Sequence, residues 1–258
     1  PALGHDEIPH EGREVTCLEI GWDAYVTCSR CDHTTYVEIP ATGHIFQDKL
    51  CVSCGLEQPA SKQWDLSTGA DGSVMAYAYT NADGTYFLEI TGNGATKNYT
   101  SSSPFKSLNQ KIGNICIRDG VTDIGNYLFA NLTIKGDITF ADSVVSIGRN
   151  AFRYFAGPKI IALPESITTI GNNAFYYATN LVVILQGEKQ PSSLGSNWDY
   201  YCGHYVNPQQ VITTEDAIYV IDQNGKAWLA KYCADESEFV AETVVSGIPV
   251  TGIGAYAF

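Results

Sequence analysis

From Ile115 onward the sequence repeats with a fixed period of 23, and no other feature limits the possible folds so strongly. Ile115, Ile138, Ile161 and Ile184 open successive units. Six positions on stand Val121, Val144 and Ile167; nine on stand Ile124, Ile147 and Ile170. Each of these isoleucines is followed by a glycine (Gly125, Gly148, Gly171), and four positions later comes Phe129, Phe152 or Phe175. A unit opening at Val244 repeats the scheme with Val250, Ile253, Gly254 and Phe258. A unit this short cannot bury its apolar face alone, so the copies must stack into a continuous core.

Within each unit Ile115 and Ile117, Ile138 and Phe140, and Ile161 and Leu163 alternate with other residues, as on a short strand with one buried face. The fold class expected is therefore mainly β, a leucine-rich-repeat solenoid with a turn at each Ile-Gly and a repeated Phe in the core. Cys116, Thr139 and Ala162 fall on the outward face of the strands. At Ile184 the pattern weakens: Leu194-Gly195 arrives one position late, and Trp198 stands where Phe belongs. Two hairpins are expected around the repeats. One runs Val74 to Tyr79 and Tyr86 to Ile90, turning at Asp83-Gly84; the other runs Ala217 to Ile221 and Ala227 to Tyr232, turning at Asn224-Gly225. The first is expected to cap the solenoid, the second to interrupt or re-cap it. The domains expected are residues 1–60, a Cys/His segment; 61–114, a capping module; 115–206, the solenoid; and 207–258, a hairpin insertion with a resumed repeat.

Composition agrees with β structure: Gly and Tyr occur 24 and 16 times, Met once. Lys plus Arg number 15 against 28 Asp plus Glu, a net charge of -13, which argues against nucleic acid because phosphate contacts need clustered cations. No apolar run is long enough to span a membrane. Pro1 to His5 lacks the basic and apolar regions of a signal peptide, and the chain ends on the repeat's own Phe position. A piece of a longer protein, with a solenoid that continues, is the expectation.

Five of the eight Cys (Cys17, Cys28, Cys31, Cys51, Cys54) and four of the five His (His5, His10, His33, His44) lie between His5 and Cys54. Cys116, Cys202 and Cys233 are scattered. Pro1-Ala-Leu-Gly-His5 recurs as Pro40-Ala-Thr-Gly-His44, and Cys28-Ser-Arg-Cys31 as Cys51-Val-Ser-Cys54. The interval from Cys31 to Cys51 suits a zinc ribbon, in which two CxxC turns supply four thiolates to one tetrahedral ion. About one structural Zn2+ per chain is expected, in a segment too poor in large apolar residues to fold without a staple. Other ligand sets remain open: Cys17 with His44, or His5 with Cys17, joining Cys28 and Cys31 and leaving Cys51 and Cys54 to an incomplete second site. Disulfides are the alternative to metal, and a redox CxxC a third. His10 and His33 are expected at the surface.

The stretch from Asn197 to Tyr205 is dense in aromatics, and Trp198, Tyr200, Tyr201, His204 and Tyr205 are its candidate ligand contacts. The plainer alternative makes Trp198 core and the tyrosines its cover. No catalytic motif is present: there is no G-x-S-x-G, no H-E-x-x-H and no phosphate loop, and Gly92-Asn93-Gly94 is too short for a dinucleotide site. Glu236 and Glu238 read as solvated loop acids, and the sequons at Asn98 and Asn131 carry little weight.

Val145-Ser-Ile147-Gly148-Arg-Asn-Ala151-Phe152 and Ile167-Thr-Thr-Ile170-Gly171-Asn-Asn-Ala174-Phe175 resemble the BspA-like (Treponema-type) leucine-rich repeats of bacterial surface proteins. The stretch from Trp64 to Tyr99 resembles the β module that often precedes such repeats, and the Gly-His and CxxC units look like cysteine repeats attached to them in gut anaerobes. The first unit departs from the motif, with Leu128 in the Ala position. The resemblance implies a non-enzymatic, secreted or surface-displayed scaffold that adheres to host or bacterial surface proteins. Two other readings stand beside it: a carbohydrate-binding or accessory region of a secreted hydrolase, and a passive spacer.

Overall fold

The structure is a computed structural model and describes residues 4–232 and 243–258. Cys233, Glu236 and Glu238 lie outside the described residues. The chain divides into two compact units, Pro1–Pro59 with Thr80–Asp83, and Ala60–Tyr79 with Gly84–Phe258.

The larger unit is a β-solenoid, with no α-helix among the described residues. Each coil contributes a rung to two parallel ladders. The front ladder runs through Tyr86–Gly92, Ile112–Ile117 and Ile138–Phe140, and continues as Ile160–Leu163, Val182–Leu185 and Gly203–Val206. The back ladder stacks Gly94–Ala95, Val121–Ile124, Ser146–Ile147, Thr169–Ile170 and Ser193–Leu194. Ile115 pairs with Ile138 and Ile124 with Ile147, so the sequence period is the structural register. Between the ladders Ile115, Ile117, Val121 and Ile124 are buried, whereas Thr139 and Ala162 face outward and Cys116 is half-buried. The ladder continues upstream, though at a spacing longer than the period: Leu88 pairs with Ile115 and Ile90 with Ile117, which makes the second strand of the first hairpin a rung of the front ladder.

At the far bend the repeated aromatics form one column, Phe105, Phe129, Phe152, Phe175 and Trp198. Successive ring centroids are 5.9, 5.1, 5.0 and 6.2 Å apart. Side chains also tie each coil to the one before it. Asn126 Oδ1 accepts the Arg149 N–H at 2.7 Å, Asn172 Oδ1 the Ser196 N–H at 2.9 Å, and Ser166 Oγ donates to the Val144 carbonyl. Such bonds satisfy backbone groups that no strand partner reaches.

The repeated glycine answers to stacking distance, not to a left-handed turn. At Gly171 the N–H donates to the Ile147 carbonyl at 2.8 Å, and an added Cβ would lie 2.7 Å from Arg149 N and 2.8 Å from Gly148 C. Those atoms are the backbone of the coil below and cannot swing aside. Gly171→Ala is expected to cost about 1–3 kcal/mol through overpacking. Urea unfolding would measure it, and an unchanged midpoint would remove the stacking explanation.

One expected register is corrected. Ile184 pairs with Ala162, and it is Val183 that pairs with Ile161, so this front rung comes one position short of the period. On the back ladder Leu194 pairs with Ile170, one position beyond the period, which accounts for the late Leu194-Gly195. Ile184 therefore faces outward, where Ile184 and Val182 pack against Ile218, Val220 and Ala230. The second hairpin, Ala217–Ile221 and Ala227–Tyr232, thus covers the outer face of the last front rungs. It also serves as a coil for the resumed repeat. Strand Ile248–Ile253 pairs in parallel with Ala227–Tyr232, and the Gly254 N–H donates to the Leu229 carbonyl at 2.8 Å as Gly171 does to Ile147. In this last unit Ala257 is buried, whereas Ile253 and Phe258 are 57 and 64 % exposed, unlike their counterparts Ile147 and Phe152.

The smaller unit is built from three antiparallel strand pairs: Glu7–His10 with Tyr25–Cys28, Gly21–Trp22 with Glu38–Ile39, and Phe46–Gln47 with Leu50–Cys51. Among its described residues the only buried hydrophobic side chains are Cys17 and Cys51. Leu18, Val37, Val52 and Leu56 are between 51 and 76 % exposed. Such a unit has no aliphatic core to offset the entropy of ordering its chain.

Candidate metal sites and an exposed tyrosine face

In the smaller unit, backbone pairing decides which side chains meet. Glu7 is opposite Cys28 in the first strand pair, so His5, two positions earlier, comes to the Cys28–Cys31 turn. Phe46 is opposite Cys51 in the third pair, which brings His44 to the Cys51–Cys54 turn. Thr42 N–H donates to the Thr16 carbonyl at 3.1 Å, and this bond carries Cys17 to the same place. The outcome is two separate groups whose ligand atoms lie within 4.8 Å of one another: Cys17, His44, Cys51 and Cys54; and His5, Cys28 and Cys31.

The two CxxC pairs are thus not brought to one ion, and the four-cysteine ribbon is replaced by pairing each CxxC with the Gly-His that precedes it. The spacing suited one site, but each histidine is delivered locally by an antiparallel partner. Cys17 Sγ is 3.7 Å from Cys51 Sγ, Cys54 Sγ 3.5 Å from His44 Nδ1, and Cys31 Sγ 3.4 Å from His5 Nδ1. Around an ion with bonds of about 2.3 Å to sulfur and about 2.0–2.1 Å to nitrogen, tetrahedral donors sit roughly 3.8 Å (S···S) and 3.5–3.6 Å (S···N) apart. The observed separations match those edges. A disulfide needs sulfurs about 2.05 Å apart, and Cys17, Cys28, Cys31, Cys51, Cys54, Cys116 and Cys202 are all free.

Electrostatics favours thiolate at these turns. The Cys51 thiol is lowered from 9.0 to about 5, first by its hydrogen bond with His44 and then by the Ser53 N–H. Cys28 is lowered to about 6, led by the Arg30 N–H, which donates to its sulfur at 3.4 Å, with His5 adding to the effect. Cys17 moves the other way, raised by burial and then by Cys51 and Cys54 beside it. Crowded thiolates raise one another until a cation neutralises them, so this donor set suits a metal ion. His10 is half-buried, with its Nε2 2.9 Å from Thr27 Oγ1, and His33 is exposed; neither joins a donor group.

In the repeat unit the five aromatic candidates separate. Trp198 is 5 % exposed and closes the aromatic column, so it is core, because it occupies the place the phenylalanines hold in earlier coils. Tyr200 and Tyr201 are exposed and join Tyr154, Tyr176, Tyr177 and Tyr256 in a continuous surface of rings. Tyr176 and Tyr200 stack at 5.3 Å and 13°, and Tyr177 and Tyr201 lie 4.5 Å apart. The Arg153 guanidinium lies 4.9 Å from the ring of Tyr154 and 5.6 Å from that of Tyr176. Tyr154, Tyr177 and Tyr200 recur at the repeat period, a signal that would have located this face in the sequence. Arg153, Tyr176 and Tyr256 had no such signal.

His204 and Tyr205 instead line a pocket of about 360 Å³ with Pro208, Val220, Asp222 and Trp228. Two of its side chains already have polar partners in the protein. His204 Nδ1 is 2.7 Å from Asp199 Oδ2, and Trp228 Nε1 donates to Asp222 Oδ2 at 3.0 Å. Among the described residues no Ser, Thr or Cys hydrogen-bonds the His204 ring. Burial pushes the Tyr205 phenol up to about 12, and its hydroxyl has no hydrogen-bond partner among the described residues. Nearby Cys202 is buried and its thiol is strongly raised, which makes it inert.

Residues 99–203 match, in six copies, the family model described as BspA type Leucine rich repeat region. No curated protein matches the chain. Among solved structures, a leucine-rich repeat protein from Eubacterium ventriosum is 20 % identical, over 78 % of this chain and 57 % of that one, with a TM-score of 0.40. A leucine rich cell surface protein from Faecalibacterium prausnitzii is 17 % identical, over 74 and 66 % of the two chains, with a TM-score of 0.24. The chain thus spans little more than half the length of the first of these.

Proposed function

Given that residues 99–203 form a BspA-type leucine-rich repeat region, we propose that the chain is a non-enzymatic recognition scaffold, secreted or displayed on a bacterial surface. It binds proteins of a host or of other bacteria, and its smaller unit is stapled by Zn2+. The observation that carries the reading is the tyrosine face with Arg153 laid across it. Tyr and Arg dominate binding hot spots because they bring large, stiff contact area and a polar tip at low entropic cost. Here the rings hold one another in place on a rigid solenoid, so little order remains to be lost on binding. The net charge of -13 favours partners with basic surfaces. Among the described residues no helix is long and apolar enough to cross a membrane.

The test is a binding screen against host matrix proteins, mucins and bacterial surface proteins. Replacing Tyr176 and Tyr200 together by alanine is expected to weaken any complex found by at least about thirty-fold, as loss of hot-spot residues does. A partner that binds the double variant as tightly would place recognition elsewhere, and a screen without a hit would favour a passive spacer. The pocket at His204 and Trp228 supports a second reading, in which a sugar ring packs on Trp228. Glycan-array binding lost in Trp228→Ala, with the tyrosine face intact, would favour it.

A further inference from the structure

We propose that Arg153 makes the tyrosine face selective for a protein segment that seats a single carboxylate, from an Asp or Glu side chain, on the guanidinium. Uncharged residues of the same segment run from that carboxylate along the rings. This rests on the reading of the tyrosine face as the recognition surface, and it adds what the partner carries.

Ala130, Arg153 and Tyr176 hold the same place in successive units, 23 positions apart. Ala130 is buried and small, so the column has a direction: a cation first, then the rings of Tyr176 and Tyr200. The guanidinium is held against two rings, with Cζ 4.9 Å from that of Tyr154 and 5.6 Å from that of Tyr176. Cation–π contacts of this kind fix the fork of donors before a partner arrives. Two other cations of the repeat unit are spent within the protein. Arg118 pairs with Glu89 at 2.7 Å, and Lys97 Nζ donates to the Asp65 carbonyl at 2.7 Å. Arg153 differs. It is half-buried, its Nε is buried without a hydrogen-bond partner, and among the described residues no carboxylate lies within ion-pair distance of it. In a chain with 28 Asp plus Glu against 15 Lys plus Arg, an arginine kept clear of acids has its donors left for an acceptor from outside. A carboxylate that meets this fork accepts two parallel charge-assisted hydrogen bonds.

The charge of the whole chain narrows the partner further. A net charge of -13 repels an acidic tract at long range, so one carboxylate in an uncharged segment binds where a run of them is turned away. Basic residues elsewhere on the partner remain compatible with that field, because it steers approach while Arg153 acts at contact. The rings favour a protein over an acidic sugar. A sugar packs on an open aromatic face, whereas Tyr176 and Tyr200 stack on each other at 5.3 Å and 13°, and Arg153 lies against Tyr154 and Tyr176. Rings packed in this way offer mainly edges and hydroxyls, which suit the side chains and backbone carbonyls of an extended segment.

The test selects a random peptide library displayed on phage against the whole 258-residue chain, and measures synthetic copies of the enriched peptides by fluorescence anisotropy. Enriched peptides are expected to carry one Asp or Glu among uncharged residues. Changing that acid to its amide leaves the protein untouched and is expected to weaken binding about ten- to a hundred-fold. Arg153→Gln is expected to lose the same factor against the acidic peptide and little more against the amide. Arg153→Glu is expected to recover binding when the peptide's acid is replaced by Lys. Acidic peptides that bind Arg153→Gln as tightly as the unaltered chain would overturn the proposal. Acid-free peptides whose binding falls when Tyr176 and Tyr200 are both alanine, but not in Arg153→Gln, would overturn the carboxylate and preserve the tyrosine face. Binding unchanged in both variants would overturn the face as well. A library that yields no enriched peptide would overturn the protein segment. If, in that case, carboxylate-bearing glycans on an array bound through Arg153, the carboxylate would belong to a sugar.

Discussion

Phe152→Ala will lower the unfolding free energy of the repeat unit by about 3–5 kcal/mol, the range for emptying a phenylalanine site in a core. Phe152 is fully buried at the middle of the aromatic column, with Phe129 and Phe175 stacked on its two sides at 5.1 and 5.0 Å and Phe155 edge-on at 5.3 Å. The hole cannot collapse. Its walls are rings fixed by their own coils, and those coils are held at ladder spacing by backbone hydrogen bonds. In a solenoid each coil contacts only its neighbours, so one vacancy weakens two interfaces and also the cooperativity across them. Phe152→Leu keeps most of the volume and is expected to lose less. Urea unfolding followed by far-ultraviolet circular dichroism measures both. A loss below about 1 kcal/mol for the alanine variant would show that the ladders, and not the column, carry the stability.

Removing the proposed zinc is the second large effect expected. Chelation, or Cys51→Ser, is expected to unfold the described part of residues 4–59 and to leave the repeat unit's transition in place. Structural zinc contributes apparent binding free energies of about 10–16 kcal/mol near neutral pH, and in such sites that is folding free energy. Nothing replaces it here, since no described aliphatic side chain of this unit is buried. Limited proteolysis before and after chelation reads the outcome. Resistance that survives chelation but disappears on reduction would return the unit to disulfides.

Acid acts in the same direction. Cys51 and Cys28 have thiols lowered from 9.0 to about 5 and about 6. Groups lowered on folding stabilise fully above their unfolded value, lose that contribution as pH falls through the window, and give none below the folded value. The unit's stability is therefore expected to fall as pH drops below about 9, because protons compete with the ion for the same thiolates. Chemical unfolding of the smaller unit at stepped pH measures this, and a flat profile would remove the thiolates from its stability.

The skeleton of this fold is legible in the sequence because it is written in side-chain size. Ile124, Gly125 and Phe129 recur at 147, 148 and 152, and again at 170, 171 and 175, where the coils stack. The glycine's role is less legible. A turn is the natural reading of Ile-Gly, but the backbone of the coil below leaves no room for a Cβ. The strict period misplaces Ile184, because its front rung comes one position early and such a shift turns a strand side chain to the other face. Trp198 reads as one aromatic among many, yet it is the last member of the buried column. The face that does stay open includes Tyr154 and Tyr177, which the same period marks.

The sequence by itself determined the stacking of the coils and the kinds of donor available near the amino terminus. A repeated order of large, small and aromatic residues can be buried only by setting copies on one another, and CxxC turns beside histidines suit few ligands other than metal. Only the tertiary structure decided which groups meet. His5 goes to Cys28 and Cys31, His44 to Cys51 and Cys54, and Cys17 to the second set through the bond between Thr42 and Thr16. It also decided that the second hairpin covers Val182 and Ile184 while Tyr154, Tyr200, Tyr201 and Tyr256 stay exposed. Spacing along a chain limits how far two groups can be apart; backbone hydrogen bonding and the competition for buried area choose which of them come together.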